Sequence, residues 1–67
     1  MFHVTVSMVF STGGWKHDPH HYYFGQGVGM SRSPKTALRL AEDRAYRAAG
    51  EGVQCSRIHY KVTYRKV

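Results

Sequence analysis

Histidines, aromatics and bases crowd one stretch of this chain, His17, Asp18, His20, His21, Tyr22, Tyr23 and Phe24 leading through Gly25, Gly27 and Gly29 to Arg32 and Lys35. Imidazoles beside a carboxylate are ligand types for zinc, nickel or copper, which makes His17, His20 and His21 the candidate metal ligands. Their spacing matches no closed site, and a loop holding Pro19 supplies three ligands at best where a closed zinc site needs four. The expectation is no bound metal and no cofactor, with the histidines adding positive charge in acid. Catalysis has even less to build on. The carboxylates are Asp18, Glu42, Asp43 and Glu51, and the adjacent helical pair diverges by about 100° around the axis. No serine–histidine–acid set, phosphate loop or paired-acid motif is present, so a binding protein is expected rather than an enzyme.

Charge carries the stronger signal. Ten Lys and Arg against four acids leave a formal charge of +6, which favours polyanions or an acidic protein surface. A chain of 67 residues holds one small domain with a thin core. Cys55 has no partner for an intramolecular disulfide, which suits a reducing, cytoplasmic setting. The opening segment lacks a basic start and is interrupted by His3, Thr5 and Ser7, unlike a signal peptide or a membrane span.

The elements that must position these groups follow from periodicity. Phe2, Val4, Val6, Met8 and Phe10 alternate with His3, Thr5, Ser7 and Val9, the period of a half-buried strand. Gly13, Gly14 and Pro19 then turn the chain, and a second strand is expected from about His21 to Met30. Ser33 and Pro34 read as N-cap and first residue of a helix that Gly50 and Gly52 close. Its apolar face is Ala37, Leu38, Ala41, Ala45, Ala48 and Ala49, with Lys35, Arg39, Glu42, Asp43 and Tyr46 pointing away. Ile58, Tyr60, Val62 and Tyr64 alternate with His59, Lys61, Thr63 and Arg65 as a third strand. The expected fold is therefore α+β in ββαβ order: a three-stranded antiparallel sheet, strand order 2-1-3, with one helix on one face.

On that frame, the open face carries His3, Thr5, Ser7, His59, Lys61, Thr63 and Arg65. Hydrophobicity on the second strand sends Phe24, Val28 and Met30 to the core. His21, Tyr23, Gly25, Gly27 and Gly29 then lie outward, as a smooth path along which a ligand approaches closely. A bulge or coil in an edge strand is the competing reading of the glycines, and pairing of that edge with another chain, including a second copy, is a third.

The stretch GQGVGMSRSPKTALRLAEDRA resembles part of the double-stranded RNA-binding domains, in which a strand ends in a G-x-G-x-S turn followed by a helix with Ala every four residues. Gly27, Gly29, Ser31 and Arg32 match the turn, and Ala37, Ala41 and Ala45 match the helix after a two-residue insertion. The resemblance implies that Lys35 and Arg39 stand near phosphate-contacting positions. It spans residues 25–49 only; the family's first helix is absent, and a strand follows where that domain ends. Independently, amide groups from Ser33 to Thr36 beside Arg32 and Lys35 form an anion site.

These readings converge on a nucleic-acid-binding domain that grips phosphates without sequence specificity, duplex being preferred because few aromatics lie outward. Arg32, Lys35 and Arg39 hold phosphate at the helix start, Lys61 and Arg65 on the sheet, with Tyr23 and Gly27 along the outer strand. The rival is a protein-binding module, resembling in size and style small virus-encoded inhibitors such as anti-CRISPR proteins. It would anchor through Trp15, Tyr22 and Tyr23 on an acidic or nucleic-acid-binding partner.

Overall fold

The computed structural model describes residues 1–12 and 21–67. Its elements are β1 (Phe2–Thr12), β2 (His21–Ser31), α1 (Pro34–Ala49), a 3₁₀ turn (Gly50–Gln54) and β3 (Ser56–Lys66). The strands form a three-stranded antiparallel sheet of order β2-β1-β3 with α1 on one face, the ββαβ fold expected. The central strand is the most apolar. Val4, Val6, Met8 and Phe10 are buried against Ala37, Ala41, Ala45 and Ala49, and these eight residues are the whole buried core among the described residues.

The second strand faces the other way from the hydrophobic expectation. Gly25, Gly27 and Gly29 are buried under the helix, whereas Phe24 and Met30 are exposed on the open face and Val28, on that same face, is half-buried. Close approach explains this. A Cβ built on Gly25, Gly27 or Gly29 would lie 2.1, 2.2 and 2.2 Å from the carbonyl oxygens of Ala45, Ala41 and Ala37 respectively. Two strand residues advance about 6.7 Å and four helical residues about 6 Å, so a glycine every second position stays level with an alanine every fourth. The stripe is neither a path for a ligand nor a bulge: β2 pairs with β1 without a register shift. Gly27 and Gly29, read as turn residues in the family resemblance, lie within the strand.

The helix begins where expected, with Ser33 as N-cap and Pro34 in the first turn. Three of its side chains differ from the expectation: Ala48 is exposed, Glu42 is half-buried, and Tyr46 is half-buried with its ring 5.9 Å from that of Phe10. Gly50 ends the helix at a φ of +61°, where a side chain would be strained. Gly52 is buried beneath Tyr23, whose Cβ would be 2.1 Å from a Cβ at that position. Tyr23 thus belongs to the helix side and packs against the core rather than lying outward.

α1 packs chiefly on β2, less on β1 and scarcely on β3. The glycines draw it to that side. In consequence β3 is exposed along both faces, with only Val62 half-buried. A bulge at Val9 and Phe10 leaves Ile58 without a partner in the ladder.

Candidate nucleic-acid interface

The open sheet face can be laid out from the register. Crossing from β2 through β1 to β3, its rows are Met30–His3–Arg65, Val28–Thr5–Thr63, Gln26–Ser7–Lys61 and Phe24–Val9–His59, with Tyr22 beside Ser11 at the end. The face is divided lengthwise. A column of apolar and aromatic residues interrupted by Gln26 runs along β2, His3, hydroxyl groups and Val9 fill the centre, and His59, Lys61 and Arg65 form a basic column on β3. No carboxylate stands among the described residues of this face.

Tyr22 is 66 % and Phe24 60 % exposed, and Met30 is 49 % exposed on the same strand. With strands about 4.8 Å apart, the aromatic column lies about 10 Å from the basic one. That separation lets a planar group stack on Phe24 while an anion attached to it meets Lys61 or His59, whose long or broad side chains close the remaining gap. Side chains of this kind on one sheet face are the parts used to hold unpaired nucleotides: rings for bases and cations for phosphates.

The residues expected to bind phosphate do not come together. Lys61 and Arg65 share the open face, whereas Lys35 and Arg39 stand on the flank of α1 on the opposite side of the sheet, and Arg32 is exposed in the turn before the helix. The helix start is also poorer in donors than expected. Pro34 has no N–H, and the Ser33 N–H donates to Ser31 Oγ at 3.2 Å. The Ser33 side chain makes no capping hydrogen bond. Gly27 is sealed under α1 and cannot meet a ligand. Tyr22 is on the open face and His21 is exposed, its N–H donating to Thr12 Oγ1 at 3.2 Å. Trp15, His17 and His20 lie outside the described residues; among those described, no group of three or more His, Cys, Asp or Glu side chains is placed to hold a metal ion.

Phe24, Val28 and Met30 are the open-face residues that hydrophobicity alone misplaces. The signal that finds them is the paired spacing of Gly25, Gly27 and Gly29 with Ala37, Ala41 and Ala45, which places the glycines beneath the helix and turns the alternate residues outward.

On the helix side, a polar network ties β3 to α1. Tyr60 donates its hydroxyl hydrogen to Glu42 Oε1 at 2.6 Å, Arg57 lies 4.6 Å over the Tyr60 ring and also donates to the Tyr46 hydroxyl at 3.2 Å. Loss of hydration, the hydrogen bond to Glu42 and that residue's negative charge push the Tyr60 hydroxyl up to about 12. The network holds a sheet edge to the helix where apolar contact is thin. No helix among the described residues is long and apolar enough to cross a membrane. The chain matches no protein-family model, no curated protein and no solved structure.

Proposed function

We propose that this protein binds nucleic acid on the open face of its sheet, without base-specific readout, taking single strands in preference to duplex. The observation that carries the reading is the exposed Tyr22 and Phe24 on β2 together with His59, Lys61 and Arg65 two strands away on the same face. The ground for preferring duplex was a scarcity of outward aromatics, and with these rings outward that ground falls away. Stacking on an aromatic ring contributes about 1–3 kcal/mol per base and tolerates any sequence. The basic column supplies attraction that weakens with salt through counterion release. Arg32, Lys35 and Arg39 sit on another surface and serve here as general positive potential. A reducing, cytoplasmic compartment suits the unpaired thiol of Cys55.

The test is fluorescence anisotropy with labelled oligothymidylate, oligouridylate and a hairpin duplex over a series of salt concentrations. Single strands should bind more tightly than the hairpin, and Phe24→Ala should weaken them by about 1–3 kcal/mol. Tighter binding of the hairpin, or full affinity in Phe24→Ala, overturns the reading.

A further inference from the structure

We propose that the groove between α1 and β3, on the helix side of the sheet, is a docking site for an acidic amphipathic helix of a partner protein. This surface is separate from the open face, and the inference does not depend on nucleic-acid binding there.

The groove follows from the off-centre helix. Helices packed side by side lie about 8–10 Å apart and strands about 4.8 Å apart, so a helix seated over β2 and β1 leaves room for a neighbour over β3. The helical wall of this space is Lys35, Thr36, Leu38, Arg39 and Glu42, and its volume is about 450 Å³. Beyond this flank of α1, the helix side of β3 carries Tyr60, Val62 and Tyr64 at every second position, with Lys66 opposite Phe2 at the end. Tyr64 is 54 % exposed although it points to the side of the sheet that carries the core.

Three features select the occupant. Leu38 and Val62 are aliphatic and only half-buried, so an apolar stripe gains by covering them. Lys35 and Arg39, one helical turn apart, line a rim that Lys66 extends, complementary to carboxylates flanking such a stripe. Base stacking is disfavoured at one end, because Arg57 already covers the ring of Tyr60. A second copy is disfavoured by charge. Each chain carries +6, and the helix of this protein offers only Glu42 and Asp43 as acids.

The probe is a designed peptide, long enough for about five helical turns, with leucines at i, i+3, i+4 and i+7 flanked by glutamates, titrated into the isotope-labelled protein and followed by amide chemical shifts. Saturable shifts are expected at Lys35, Leu38, Arg39, Val62 and Tyr64, with Thr5 and Lys61 unchanged. A control peptide carrying lysines in place of the glutamates should not bind. The double variant Lys35→Glu, Arg39→Glu, altered at exposed positions only, should weaken the acidic peptide on the order of tenfold. Absence of saturable shifts, shifts on the open face instead, equal binding of the lysine peptide, or displacement of the peptide from the groove by oligothymidylate overturns the proposal. Should the double variant fail to fold, the shift map of the unaltered protein with the two peptides still decides.

Discussion

Replacing Gly27 by alanine tests the packing on which every placement in this molecule depends. The added Cβ would lie 2.2 Å from the Ala41 carbonyl oxygen, 2.4 Å from the Ala45 nitrogen and 2.7 Å from Arg44 Cβ. Two of these neighbours are helix backbone, which cannot rotate away as a side chain tip would. The helix must therefore lift by about 1 Å to restore ordinary contact. A gap of that size forfeits a quarter to a half of each dispersion contact along the interface, and overpacking of this kind typically costs about 1–3 kcal/mol or more. Because the clash is with backbone and the buried core among the described residues is eight side chains, about 3 kcal/mol is expected. For a domain of this size that lowers Tm by roughly 12–24 °C, and total stability is itself on the order of 3–10 kcal/mol. Helical circular dichroism during heating and urea unfolding reads the effect directly. Gly50→Ala is the control: nothing lies within 4 Å of its added carbon, and only the φ of +61° opposes it, so its cost should be smaller, about 1 kcal/mol. A Gly27→Ala protein melting within a few degrees of the parent, or no lower than Gly50→Ala, would refute the packing of α1 on β2.

Lys61→Ala should leave Tm nearly unchanged and reduce the steepness of log affinity against log salt for oligothymidylate by about 0.7, the value for one phosphate contact on a single strand; an unchanged slope would remove Lys61 from the interface. In a spectrophotometric titration, Tyr60 should ionise near 12, and Glu42→Gln should bring it back toward the ordinary tyrosine range. Since the folded value is raised above the unfolded one, the stabilisation from this hydroxyl is complete below about pH 10 and disappears as pH rises toward 12. The loss should be small, because Tyr60 is 39 % exposed. Arg44 donates a hydrogen bond to the Val28 carbonyl on the edge strand β2, so Arg44→Ala should promote self-association, measured by sedimentation velocity, by uncovering a strand edge; a variant that stays monomeric at high concentration would show that Arg44 does not guard it.

The order of elements, the antiparallel sheet and the helix limits were legible in the chain because they rest on local rules. Alternation in Phe2–Phe10 has one apolar side only, and Ser33, Pro34 and Gly50 punctuate the helix by backbone preferences that need no tertiary partner. The basic column of Lys61 and Arg65 was legible for the same reason, since their strand alternates and their neighbours on β1 are polar. Which side of β2 faces inward was not a local matter. By hydrophobicity Phe24, Val28 and Met30 belong inside, yet an alanine-faced helix comes so near the sheet that only residues without a Cβ fit beneath it. Steric exclusion between two backbones outweighed the transfer of three apolar side chains from water. That same contact carried α1 toward β2, exposed β3 on both faces and divided the expected phosphate ligands between opposite sides of the sheet. These outcomes depend on the distance between elements remote in the chain, which periodicity within any one of them does not encode.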